Sequence, residues 1–200
     1  MAHFTPFAVI HPKAELAAEL CALPYDVMDR AEAAEMAAGR PYSFLRISRS
    51  EIELPAETDP YADVVYEKAR ENLMCWLEQG ILVRESDPCY VIYRQTSGKH
   101  VQTGVAGCAG IDDYERNIIR RHEVTREEKE RDRTRHFDVC QAHTEPVFLT
   151  YRSSQIIDVT VKKWIGEHQP LFDFTAVDGV RHQLWLVKDP GAIEVLAIGF

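Results

Sequence analysis

Hydrophobic and polar positions along this chain switch between helical and strand periods, and the switches fall at proline, glycine and Asp-Pro punctuation. Residues Pro12 to Cys21 are rich in Ala, Leu and Glu and predict a short helix that ends before Pro24, because a residue preceding proline is pushed out of the helical region. Asp29 then suits the N-cap of an Ala/Glu/Met helix, with Gly39 supplying its left-handed end. The alternation in Phe44-Leu45-Arg46-Ile47-Ser48 predicts a strand. Asp59-Pro60 predicts a helix start, since Tyr61, Val65, Ala69, Leu73, Trp76 and Leu77 recur at helical spacing up to Gly80.

Downstream, Tyr90–Arg94 and His100–Val105 flank Thr96-Ser97-Gly98-Lys99 and predict a β-hairpin. Thr125 with Glu128 three residues later predicts a capping box for a helix reaching about Gln141, and Pro146–Tyr151 resumes as a buried strand. Ser154 begins a further helix whose apolar face is Ile157, Val161, Trp164 and Ile165. Leu171–Val177 and Val180–Val187 pair across Asp178-Gly179, a type I′ turn sequence, and Asp189-Pro190 starts a last apolar helix that runs to Phe200. The expected class is α+β, with a mixed, largely antiparallel sheet, hairpins and flanking helices.

A chain of 200 residues with 46% hydrophobic content can bury a core, as one large domain or two small ones. A formal net charge of -9 opposes general nucleic-acid binding, which needs clustered Lys and Arg. The cysteines Cys21, Cys75, Cys89, Cys108 and Cys140 lack zinc or redox spacings. With no leader pattern and no apolar run of membrane length, a cytoplasmic protein with reduced thiols and no membrane partner is expected.

The segment that draws attention is Arg120-Arg121-His122-Glu123-Val124-Thr125, placed where strands give way to a helix N-terminus. Free backbone N–H groups there attract anions, and guanidinium groups match phosphate oxygens. Glu123 has the chemistry of a general base toward a hydroxyl, with His122 orienting or shuttling a proton. The alternative is structural: Glu123 pairs with a neighbouring Arg, Thr125 only caps, and Lys129, Arg131, Asp132, Arg133 and Arg135 form a solvated helix face. A zinc-protease motif fails because Arg126 stands where a second histidine is needed, so no metal ligand is expected. Gly104, Gly107 and Gly110 lie in strand pattern and suggest bends or close packing instead of a phosphate loop. Pro24-Tyr25-Asp26-Val27 is the second segment of interest, since a proline-stiffened turn fixes the directions of a ring and a carboxylate.

Pro24-Tyr25-Asp26-Val27, Pro41-Tyr42-Ser43-Phe44-Leu45, Tyr90-Val91-Ile92-Tyr93, Arg121-His122-Glu123-Val124-Thr125, Lys129 with Asp132-Arg133, and Pro146-Val147-Phe148-Leu149 stand in an order that resembles the bacterial and archaeal family called domain of unknown function 1015. The resemblance covers nearly the whole chain. It implies a longer protein, in which an Ala-Asp-Gly-His-His-Arg signature follows the region of Asp189–Phe200. That signature is similar to the phosphate-binding motif of ParB/sulfiredoxin-like proteins, including kinases that phosphorylate free serine.

By resemblance, then, residues 1–150 form an N-terminal α+β region carrying the Arg-His-Glu-x-Thr segment. Residues 151–200 begin an incomplete, truncated ParB-like lobe. The implied activity is nucleotide-dependent phosphotransfer to a small-metabolite hydroxyl, using ATP or ADP with Mg, and this chain alone would be inactive. Glu123 and His122 would be catalytic, and Tyr25, Asp26, Arg120, Arg121, Thr125 and Arg133 would contact substrate or phosphate. The alternative is a non-catalytic nucleotide- or protein-binding regulatory module; assembly as a homodimer is open.

Overall fold

The computed structural model describes residues 2–121 and 124–200. In chain order the elements are β1 (Phe4–Thr5), β2 (Ile10–Pro12), α1 (Ala17–Leu20), α2 (Arg30–Ala37), α3 (Leu45–Ser48), α4 (Asp63–Glu78), β3 (Leu82–Arg84), β4 (Tyr90–Ser97), β5 (His100–Ala106), β6 (Cys108–Ala109), α5 (Ile111–Glu115), α6 (Glu127–Cys140), α7 (Gln155–Glu167), β7 (Phe172–Thr175), β8 (Arg181–Val187) and α8 (Pro190–Gly199). The class is α+β, and every pairing in the four-stranded sheet is antiparallel. The chain divides into two units. One takes the described residues of Met1–Glu15, Arg84–Glu123 and Val147–Phe200, the other Leu16–Val83 and Val124–Pro146.

The first unit is built on a sheet of order β5-β4-β8-β7. Side chains alternate across it, as a period of two demands. Tyr90, Ile92, Trp185 and Val187 bury one face against Ile157 and Val161 of α7 and Leu196 of α8. Val91 faces the other way, where it packs with Val9 and Cys89 and is flanked by Leu184 and Leu186. The hairpin joining β4 and β5 closes with Ser97 opposite His100 and Gly98 at φ 57°, as its sequence predicts. In a separate two-stranded sheet β1 pairs with β6, and Gly107 beside that pair is required, because a Cβ there would lie 2.9 Å from the backbone oxygen of Thr5. Asp189 caps α8 by accepting from the Ala192 N–H at 2.9 Å, with Pro190 in the first turn.

Two expectations in this unit are corrected. The β7–β8 loop carries only Gly179 at positive φ (80°), while Ala176 O accepts from Gly179 N–H and Ala176 N–H donates to Val180 O. A type I′ turn needs positive φ at both central residues, so the connection is instead a three-residue loop, Val177-Asp178-Gly179, with a left-handed glycine. Residues 146–151 form no strand; Val147 is 80% and Phe148 66% exposed. Apolar composition raises strand propensity but supplies no ladder partner.

The second unit is helical. Its long helix α4 buries Val65, Tyr66, Ala69, Leu73 and Trp76, the predicted stripe. Asp59-Pro60 does not open the helix directly. Asp59 caps a turn instead, accepting from Tyr61 N–H at 2.9 Å, and α4 begins at Asp63. Asp29 and Glu32 close a full capping box on α2. Arg30, in its first turn, donates to the carbonyls of Glu51, Leu54, Pro55, Ala56 and Thr58 and so holds the acidic loop. The strand expected at Phe44–Ser48 is helix α3. Leu45, Ile47 and Ser48 are all buried, so the two-residue alternation there reflects one polar residue, Arg46, which reaches out to the Arg40 and Ala37 carbonyls and to Glu53.

Helix α6 carries almost no apolar stripe. Its buried positions are Asp132, His136 and Cys140, spaced by four. Asp132 accepts from the Tyr66 hydroxyl of α4 at 2.8 Å, and His136 donates through Nε2 to the Ile47 carbonyl of α3 at 3.0 Å. Thr144 donates to His136 Nδ1 at 3.3 Å, and burial holds the imidazole below its ordinary pKa, in the neutral form these two bonds require. Arg135 pairs with Asp63.

Candidate functional site

Pro24 (φ −53°, ψ 142°) directs the chain into a single 3-10 turn, Tyr25–Val27. Arg49 anchors that turn by donating to the Tyr25 and Met28 carbonyls at 3.1 and 3.3 Å, while its Nε pairs with Glu51 at 2.7 Å. The backbone that carries Tyr25 is thereby held, and Arg133 of α6 lies over the Tyr25 ring with Cζ 4.1 Å from the ring centroid, a cation–π contact.

Arg133 is held on its other edge by its neighbour. Nε and Nη2 donate to Oδ2 of Asp132 at 3.1 and 2.8 Å, and Oδ1 of Asp132 is occupied by the Tyr66 hydroxyl. The remaining nitrogen, Nη1, stands 3.5 Å from Oε1 of Glu145, which lies just beyond α6. Nη1 and Oε1 are both buried and neither has a hydrogen-bond partner. An opposed donor and acceptor left unsatisfied in the interior cost free energy, and such costs concentrate where a ligand would relieve them.

Electrostatics single out the same carboxyl. Burial pushes Glu145 up to about 7; Arg133 opposes the rise, and Asp26 and Asp132 add to it. Burial also raises the Tyr25 phenol. A carboxyl that titrates near neutrality, beside a guanidinium and an aromatic wall, is equipped to accept and return a proton. Asp26 is exposed at the rim of this cluster.

Of the residues singled out from sequence, Tyr25, Asp26 and Arg133 are brought together. Thr125 belongs to the same unit but does not form the expected capping box. Residue Arg126 is the N-cap of α6 with no side-chain cap bond, and the Thr125 hydroxyl donates to Glu130 at 3.3 Å. Arg120 and Arg121 lie exposed in the sheet-containing unit, where Arg121 covers the Tyr114 ring at 4.8 Å. His122 and Glu123 lie outside the described residues. Glu145, which sequence reasoning missed, is a lone carboxylate before Pro146 with no periodic or motif context to mark it. Asp132 was visible as one charge in a mixed-charge helix and as part of the Asp132-Arg133 pair in the family resemblance, but not as a site residue. Among the described residues no group of three or more His, Cys, Asp or Glu side chains is arranged to hold a metal ion, and no helix is long and apolar enough to cross a membrane.

The family model described as protein of unknown function (DUF1015) matches residues 4–200 of the chain. No curated protein and no solved structure matches it.

Proposed function

The chain belongs to the DUF1015 family of proteins of unknown function, and from that premise we propose that it supplies the hydroxyl-handling part of a nucleotide-dependent phosphotransferase acting on a small metabolite. The observation that supports this reading is the 3.5 Å pair of Arg133 Nη1 and Glu145 Oε1, buried and without hydrogen-bond partners. A substrate hydroxyl is donor and acceptor at once. Placed at this pair, it accepts from Nη1 and donates to Oε1, which satisfies both groups. Glu145, near 7, then takes the hydroxyl proton as the oxygen bonds to phosphorus and the nucleotide's bridging oxygen departs. Tyr25 forms the wall that limits how the substrate enters, and Asp26 the polar rim.

The nucleotide is not assigned to these residues. One available guanidinium nitrogen beside the carboxylates of Asp26, Asp132 and Glu145 does not make a triphosphate cradle. By the family resemblance the phosphate groups go to a ParB-like phosphate-binding signature, not to this cluster; residues 147–200 themselves share a sheet with residues 84–123. Arg120, Arg121 and Thr125 are the steering and capping groups of the competing assignment, in which Glu123 is the base with His122 beside it.

Phosphate transfer from ATP or ADP with Mg to a panel of small alcohols and amino alcohols tests the reading, in the longer protein that the family resemblance implies, with Glu145→Gln and Glu123→Gln. Loss of the base costs about 10²-fold or more in rate. We expect that loss in Glu145→Gln and near-normal rates in Glu123→Gln; the reverse pattern assigns the base to Glu123. Nucleotide binding without transfer, unchanged by both substitutions, sinks the enzyme reading and leaves a regulatory binding module.

A further inference from the structure

Asp132 is a buried acidic side chain, and its three hydrogen bonds are divided unevenly between two tasks. Oδ1 receives the Tyr66 hydroxyl at 2.8 Å and ties α6 to α4. Oδ2 receives two N–H groups of Arg133, Nε at 3.1 Å and Nη2 at 2.8 Å. A guanidinium is a planar fork with five N–H donors, so engaging two of them on one side sets the direction of the rest. Its Cζ lies 4.1 Å from the Tyr25 ring centroid, a second hold on the guanidinium. The nitrogen left over is the one that faces Glu145 at 3.5 Å.

From this arrangement we propose that Asp132 is the positioning residue of the site: it fixes the Arg133 guanidinium so that Nη1 alone is presented to Glu145 and to whatever oxygen binds there. The proposal rests on the functional reading above but adds a role that reading does not need. Charge follows geometry. Asp132 takes up the positive charge of Arg133, so the guanidinium does not strip the proton from Glu145, and the negative charges of Asp132 and Asp26 act in the same direction. Tyr25 faces the same cluster, its phenol raised by burial and so uncharged.

A simpler role would be structural, with Asp132 serving only to bolt α6 onto α4. Two substitutions separate the roles. In Asp132→Asn the amide oxygen still accepts from Arg133 and the amide nitrogen donates to the Tyr66 oxygen, so shape is kept and only the charge is lost. In Tyr66→Phe the bolt to α4 is lost and the Asp132–Arg133 pair is kept.

The measurement is the carbon-detected NMR titration of the Glu145 side-chain carboxyl in the full chain. In Asp132→Asn the midpoint should fall measurably below about 7, because an uncompensated guanidinium then acts on it. Tyr66→Phe should lower stability and leave the midpoint where it was. An unchanged midpoint in Asp132→Asn overturns the proposal, and so does an equal displacement in both variants, which would make the bolt the cause. The wild-type chain offers a check that needs no substitution. Arg133 Nε–H should give a resolved, slowly exchanging signal, and exchange as fast as that of an exposed arginine refutes the positioning role. Should Glu145 of the wild-type chain titrate near 4.5, the functional reading fails, while the Arg133 signal still judges the role of Asp132.

Discussion

Replacing Glu145 by glutamine should stabilise the helical unit at neutral and alkaline pH, although it removes a charge that faces an arginine. The folded carboxyl is raised from 4.5 to about 7, with a side chain 25% exposed, so the folded chain keeps a proton that the unfolded chain has released. Stability falls with pH wherever the folded state binds more protons. The wild-type chain therefore carries no penalty below about pH 4.5, loses stability between there and about pH 7, and carries the full penalty above. At about 1.4 kcal/mol per pH unit the penalty is about 3 kcal/mol. Glutamine cannot ionise and escapes it. Urea denaturation followed by far-ultraviolet circular dichroism, at pH values from 4 to 8, gives the difference in unfolding free energy between variant and wild type. That difference should grow by about 3 kcal/mol across the window, whatever constant offset the amide introduces. A difference that stays flat, or a wild-type chain that gains on the variant as pH rises, would mean that Glu145 is an ordinary ionised carboxylate paired with Arg133. In that case its place as a base fails with it.

Three further outcomes follow from the packing. Arg30→Ala should lower stability by about 2–3 kcal/mol in thermal or urea denaturation, since the carbonyls of Glu51, Leu54, Pro55, Ala56 and Thr58 lose a charged donor; a loss under about 0.5 kcal/mol would show that water replaces the side chain freely. Asp29→Ala should cost about 1 kcal/mol through its capping box, and Thr125→Ala less than about 0.5 kcal/mol, because no cap bond is made there; equal losses by the same measurement would contradict the assigned caps. In thiol labelling of the native chain at pH 8, exposed Cys108 should react first. Cys89 and Cys140 should wait for unfolding, since burial raises both thiols, that of Cys140 to about 11, and fast labelling of either would contradict their burial.

How much of this was legible from sequence depends on the kind of force each element uses. Helix α4, the β4–β5 hairpin, α7 and the Asp189-Pro190 start of α8 are set by apolar periodicity and local capping, and both are written in consecutive residues. Helix α3 misled because Arg46 between Leu45 and Ile47 imitates a strand, whereas its long side chain simply leaves a buried turn for nearby carbonyls. Residues 146–151 misled because their apolar character says nothing about a pairing partner. For the site, Tyr25, Asp26 and Arg133 were visible as chemistry but not as neighbours. Their meeting depends on α6 docking onto α3 and α4 through Tyr66, Asp132 and His136, contacts more than sixty residues apart in sequence. Glu145 owes its properties to burial and to three charged neighbours, none of which a linear reading supplies.

The polar inner edge of α6 also bears on how the chain finds one arrangement among similar ones. Against an oily surface a helix can slide by a turn, about 5.4 Å, and recover much of its contact area. Here the same slip would strand the Tyr66 hydroxyl and the Ile47 carbonyl without partners, and the interior does not tolerate that. Asp132 and His136 thus act as an address more than as glue. A redesign that traded them for leucines would no longer know where along α4 to stop, even if it melted at a higher temperature, and Arg133 would arrive one turn away from Glu145.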